Sequence, residues 1–191
     1  MKEIPKLEEK LSFLEELILL ILYLSKEEIL SYDLKLNDII FLISQEIDEL
    51  KNIDFKPTIY GIYSEKIKKT IEELVNKDYI KIIDDRLILT DEGKNIAEDI
   101  LNNLDKKNLD VIKENIEFFE GLTYEEILSF LYYKFPEYFE KIRKLQSIEN
   151  NRLEIAIELY KKEKISIEAA SEIAGISLYK FIEILKSRKL I

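Results

Sequence analysis

Two periods organise this chain. Through most of its length apolar residues recur every three or four positions, the spacing of helices with one buried face. The first such stretch predicts a helix over Leu7 to Ser25, opened by Pro5 and centred on the apolar run "LILLILYL", Leu17 to Leu24. "KLNDIIFLISQEI" predicts a second, with Leu36, Ile39, Ile40, Leu42, Ile43 and Ile47 at helical spacing and Asn37 or Asp38 as its cap. "FKPTIYGIYS" reads as a turn through Pro57 and Gly61, after which Ser64 caps a third helix. In that third helix, "SEKIKKTIEELVNK", Ile67, Ile71, Leu74 and Val75 share a face.

The period then changes. In "YIKIIDDRLILTDEG" two short apolar segments flank Asp84-Asp85, the pattern of a β-hairpin. Thr90, with Glu92 close behind, caps the next helix. Helix, helix, helix, hairpin is the order of a winged helix. Beyond it helices are expected near 91–106, 108–119, 123–133, 136–147 and 150–163. Thr123 with Glu126 makes a capping box, and Pro136 suits a first helical turn. A last pair follows near 166–174 and 177–188. The expected fold is therefore mainly α: a winged helix with one β-hairpin, a helical middle region and a C-terminal helix-turn-helix. The corresponding domains are 1–106, 107–149 and 150–191, with "LQSIEN" at the last boundary.

The terminal pair is the most informative stretch. A helix-turn-helix needs small residues where its helices cross, and often glycine where the turn demands positive φ. Ala169, Ala170, Ser171 and Ala174 are the small positions, Gly175 the turn and Ser177 the cap of the second helix. Ile167, Ile173, Ile176, Phe181 and Leu185 form the shared core. An ordinary antiparallel helical hairpin would use the same spacing, and a helix-turn-helix does not by itself bind DNA.

Composition removes several function classes. The 191 residues contain no Cys and no His, so disulfides, thiolate or imidazole metal sites, and Ser-His-Asp or Cys-His catalysis are excluded. No Asp-x-Asp-x-Asp-Gly loop offers a carboxylate metal site, and no pair of carboxylates stands out for catalysis. No cofactor is expected, and the chain reads as a binding protein, not an enzyme. The eight-residue apolar run is too short to span a bilayer and lacks the flanks of a signal peptide. A cytoplasmic protein without membrane contact is expected.

Charge complicates the DNA reading. The net charge is −10, yet residues 150–191 hold eight Lys/Arg and six Asp/Glu, so the acid is concentrated upstream. In the terminal unit Ser177, Tyr179, Lys180 and Arg188 are candidate DNA contacts. Lys186, Arg188 and Lys189 equally suit the C-terminal end of a helix. In the winged helix Lys66 and Lys69 on the third helix, and Arg86 near the wing tip, are the candidates. Glu65, Glu72, Glu73, Asp84 and Asp85 oppose them. The same charges fit a solvated face with pairs such as Glu65–Lys69. The aromatic run "FLYYKFPEYF" could stack on bases but suits core or dimer packing better, and Tyr60 and Tyr63 are expected to pin the turn before the third helix.

Two resemblances sharpen these expectations. "IELYKKEKISIEAASEIAGISLYKFIEILKSRKLI" resembles a family of small prokaryotic antitoxin-like helix-turn-helix proteins. The resemblance rests on Leu159-Tyr160-Lys161, Lys164-Ile165-Ser166, the block from Ala170 to Gly175, and Phe181, with Ser171 standing where the pattern has Ala. "KPTIYGIYSEKIKKTIEELVNKDYIKIIDDRLILTDEG" is similar to prokaryotic winged-helix regulators and antitoxin-associated domains. There Tyr60, Gly61, Tyr63, Ser64, Leu74, Ile80, Leu89, Thr90 and Gly93 fit, and Ile62 replaces a proline. With "YEEILSFLYYKFPEYFEKI" that likeness extends over about residues 7–145. The resemblances imply DNA binding or toxin neutralisation, and the expectation is a transcriptional regulator of antitoxin type that binds double-stranded DNA, with a toxin or other protein as a further partner; a homodimer would join two weak readers across a pseudo-palindrome. The alternative is an interaction module that neutralises or recruits a protein partner without touching DNA.

Overall fold

A computed structural model describes residues 10–25, 29, 34–139 and 146–191. It is mainly α, with ten α-helices and two antiparallel hairpins among the described residues. Pro5 and the start of the expected first helix lie outside them.

Helix α1 (Phe13–Leu24) is the centre of the N-terminal part, and Leu17, Ile18, Leu19, Leu20 and Ile21 are almost wholly buried. Its start is set by a capping box, in which the Ser12 hydroxyl accepts the Glu15 N–H while the Glu15 carboxylate accepts the Ser12 N–H at 2.8 Å. A helix apolar on all sides must be surrounded. Here α3 (Glu65–Asn76), α4 (Asp91–Asn103), α5 (Lys106–Phe119) and the strand Arg86–Leu89 surround α1. Lys77 reaches over to Glu15 at 2.8 Å. Burial pushes the Glu15 carboxyl up, but the Lys77 ammonium and the Ser12 donors outweigh it and hold it below its ordinary value.

Helix α2 (Lys35–Ser44) corrects one expectation. Asn37 and Asp38 do not cap it; they lie within it, buried, and serve another part of the chain. The Ile62 N–H donates to Asp38 Oδ1 at 2.7 Å and the Ser64 N–H to Asn37 Oδ1 at 2.9 Å. These bonds create a second hairpin that local pattern did not reveal, β1 (Lys56–Thr58) against β2 (Gly61–Tyr63). Gly61, at φ +122°, is required there, because a Cβ would stand 2.8 Å from Asp38 Oδ2. Ser64 occupies the cap position of α3 but makes no side-chain capping bond, since the entry to α3 is held by Asn37 instead. Tyr63 pins that entry, donating its hydroxyl to Glu65 at 2.5 Å, whereas Tyr60 sits at the hairpin tip, 62% exposed.

The expected hairpin is present as β3 (Ile80–Ile83) and β4 (Arg86–Leu89), paired Ile80↔Leu89 through Ile83↔Arg86. Asp84 and Asp85 both have positive φ, as a two-residue hairpin turn requires. The free side of β4 is met by Ile29, whose carbonyl accepts the Leu87 N–H at 2.9 Å. Thr90 caps α4 and Asp105 caps α5. Thr123 and Glu126 form the expected capping box at the start of α6 (Tyr124–Lys134), and Pro136 opens α7 (Pro136–Phe139).

The aromatic run packs on the core: Phe139 is buried, and Phe130, Tyr132, Tyr133, Phe135 and Tyr138 are half-buried against it. Phe41 of α2 is fully buried and meets Phe55, Phe135 and Tyr138 edge-on with ring centres 4.8–5.2 Å apart. Phe130 packs on Phe118, and Tyr132 on the buried Phe139. These rings hold α6 and α7 against the N-terminal part and are not a platform for bases.

Candidate nucleic-acid interface

The C-terminal unit is α8 (Gln146–Lys161), α9 (Ile167–Ala174) and α10 (Leu178–Ser187). Local chemistry sets each boundary. The Ser166 hydroxyl accepts the Ala169 N–H at 3.2 Å and starts α9. Gly175, at φ +70°, ends it, with the Ile176 N–H bonded back to the Ser171 carbonyl at 3.1 Å. The Ser177 hydroxyl accepts the Lys180 N–H at 3.3 Å and starts α10. Ala170, Ser171, Ile173, Phe181 and Leu185 are buried, as are Ile155, Ala156, Ile157 and Leu159 of α8, which packs on α9. The expected core residues Ile167 and Ile176 are half-buried at its edge.

Side chains from outside the pair fix its geometry. Arg152 of α8 donates Nε to the Ile173 carbonyl at 2.7 Å and Nη2 to the Glu172 carbonyl at 3.4 Å. It thereby satisfies the carbonyls left open where α9 stops. Its guanidinium lies against Gly175, where a Cβ would stand 3.2 Å from Cζ. The Tyr133 hydroxyl of α6 donates to the Glu172 carboxylate. Burial and that bond push the Tyr133 hydroxyl up to about 12. Lys162 donates to Glu126 at 2.7 Å and to the Gly121 carbonyl at 2.8 Å, and Lys164 donates to the Glu117 carbonyl at 2.5 Å. The unit is thus docked on the α5–α6 corner. No short motif announces Arg152, Tyr133 or Lys162, because each acts on a residue 20 or more positions away.

The predicted contact residues separate into three places. Ser177, the cap of α10, and Tyr179 and Lys180 in its first turn are all exposed, Tyr179 at 72%. Phe181 and Leu185 occupy the opposite, buried side. Arg188 stands past the far end of α10 and turns back to α8, where both terminal nitrogens meet the Glu154 carboxylate at 2.7 Å. That fork holds Glu154 below the ordinary carboxylate value. Arg188 is therefore committed to a pair that its position in the sequence does not suggest.

Lys66 and Lys69 are exposed on α3, and Arg86 is exposed at the end of the β3–β4 hairpin. The outer face of α3 also carries Lys68, Glu65, Glu72 and Glu73, so its charges cancel. Glu65 accepts the Tyr63 hydroxyl, and the ion pair on this face joins Lys68 to Glu72 at 4.0 Å. The nearby hairpin exposes the apolar Ile82, Ile83 and Ile88 beside Lys81 and Arg86. Among the described residues no group of carboxylates is arranged to hold a metal ion. No helix among them is long and apolar enough to cross a membrane.

No curated protein and no solved structure matches the chain. Residues 133–191 match the model of an uncharacterised protein family, UPF0175, a span that runs from Tyr133 through Arg152 and the whole α9–α10 pair.

Proposed function

We propose that the chain is a DNA-binding regulator of antitoxin type whose reading helix is α10. One observation carries the reading. The first turn of α10 presents Ser177, Tyr179 and Lys180 outward while Phe181 and Leu185 hold its other side. In a helix-turn-helix it is the N-terminal part of the second helix that meets base edges. The match over residues 133–191 is compatible with an antitoxin-like role. The order α1, α2, α3 and hairpin supports a winged helix upstream, but the cancelled charge of α3 makes it the weaker DNA surface. A ten-residue reading helix covers one half-site, so a homodimer on a two-fold site follows. The role is one of binding, in the cytoplasm, with no catalytic group required.

The acidic remainder of the chain favours a second reading. Residues 1–149 carry a net −12, suited to a basic protein partner such as a toxin. Selection from a random duplex pool, followed by fluorescence anisotropy, separates the two. A DNA reader enriches a defined site, loses affinity steeply as salt rises, and is weakened about tenfold or more by Lys180→Glu. Arg188→Ala, removing a residue already held by Glu154, changes affinity little. Enrichment of no duplex at low salt would sink the DNA reading and leave the protein-partner one.

A further inference from the structure

The turns that end α8 and α10 lie side by side and frame an open cleft of about 760 Å³. Both helices stop on residues in the left-handed conformation, Glu163 and Lys189, each at φ +57°. Behind Glu163 the Lys164 N–H bonds to the Leu159 carbonyl at 3.0 Å, and behind Lys189 the Leu190 N–H bonds to the Leu185 carbonyl at 2.9 Å. The first turn contributes Lys164 and the second Leu190 to the same cleft. The cleft is lined by Lys161, Glu163, Lys164, Ser166, Lys189 and Leu190, with Tyr160 and Ile165 as its apolar wall.

Its charge is distinctive. Three lysines and one carboxylate line it in a chain whose net charge is −10, with the Lys164 ammonium bonded to the Glu117 carbonyl. Lys161 is half-exposed beside a half-exposed Glu158 at 2.7 Å, a pairing that an incoming anion can share. Lys164 is oriented by the Glu117 carbonyl. Lys189 makes no ion pair among the described residues and is exposed. The cleft therefore suits a compact, multiply coordinated oxyanion better than an apolar ligand.

We propose that this cleft seats a backbone phosphate of the duplex that α10 reads. The inference rests on the function proposed above. Lys180 lies in the first turn of α10 and Lys189 two residues past its end, beyond a helical run of about 10 Å at a rise of roughly 1.5 Å per residue. The major groove is about 12 Å wide. With the first turn of α10 at the base edges, the far end and the cleft beside it meet the strand that borders the groove. The first helix of such a pair crosses that backbone.

The test is the salt dependence of binding by the full chain to its selected duplex. Lys161→Gln/Lys189→Gln lowers the slope of log K against log salt by about 0.9, the value of one lost phosphate contact, and leaves the ranking of base-substituted duplexes unchanged. Glu163→Gln tightens binding, a gain that a purely structural cleft would not produce. Lys180→Glu instead alters the ranking. A wild-type slope in the double variant, with Lys180→Glu still damaging, overturns the phosphate seat and leaves the reading helix standing. Failure of every duplex to bind overturns both. Inorganic phosphate that shifts the Ser166 and Lys189 amide resonances, while duplex binding ignores the double variant, makes this a small-anion site and overturns the backbone assignment. Circular dichroism of each variant verifies folding, and Glu163→Gln keeps the proposal testable should the double variant unfold.

Discussion

Lys162→Met should loosen the C-terminal unit measurably. Lys162 holds two acceptors, Glu126 Oε2 at 2.7 Å and the Gly121 carbonyl at 2.8 Å. The Glu126 side chain is only 6% exposed and also closes the α6 capping box through the Thr123 N–H at 2.7 Å. Removing the ammonium leaves a nearly buried carboxylate with its capping donors alone. Hydrogen bonds to charged groups contribute about 1.5–3 kcal/mol. Lys162 is 31% exposed, so water replaces part of the loss and the expected cost is about 2 kcal/mol. With a urea m-value of about 2 kcal/mol/M, the unfolding midpoint falls by about 1 M. Glu126→Gln keeps the capping box, because glutamine serves that position as glutamate does. The double variant should therefore be less destabilised than the sum of the singles, with a coupling of about 1 kcal/mol.

The pH dependence supplies an independent readout. Burial raises the Glu126 carboxyl, but the Lys162 ammonium and the Thr123 donors outweigh it, so its folded pKa lies below the ordinary value. A depressed carboxylate adds stability above its unfolded pKa, about 4.3, and that stability is lost as pH falls through the folded value. The gap between wild type and Lys162→Met, read by circular dichroism in urea, should be full at neutral pH and narrow in acid. Equal midpoints at neutral pH, or a gap that stays constant after Glu126 is protonated, would refute the reasoning.

Three further outcomes are expected. Gly175→Ala forces a Cβ into a left-handed position against the Arg152 guanidinium; it should cost about 1–2 kcal/mol, lower Tm by a few degrees in a thermal melt, and weaken duplex binding. Asp38→Ala strips the acceptor from the buried Ile62 N–H and should cost about 2 kcal/mol in urea unfolding, with Asp38→Asn retaining much of the stability. Phe41→Ala removes the ring on which Phe55, Phe135 and Tyr138 converge and should cost about 3–5 kcal/mol by the same assay.

Whatever depended on neighbours in sequence was legible without coordinates. Ser166, Gly175 and Ser177 set the limits of α9 and α10 by bonds spanning at most five residues, so the pair and the outward first turn of α10 could be read directly. The β3–β4 hairpin was equally plain, because strand alternation and an Asp-Asp turn are local signals. Packing of the aromatic run against the core followed from its helical spacing. Asn37 and Asp38 look like caps in the sequence because nothing nearby shows that β2 and α3, 24 to 27 residues on, present unpaired N–H groups to them. The short β1–β2 hairpin was hidden for the same reason, since Pro57 in a three-residue strand reads as a turn until Asp38 is in place. Only the tertiary structure commits Arg188 to Glu154, brings Arg152 under the Gly175 turn and draws the ends of α8 and α10 into one lysine-lined cleft. Capping and periodicity act through the adjacent backbone and are written into the order of residues. Ion pairs and clefts join distant positions, and their partners exist only once the chain has packed.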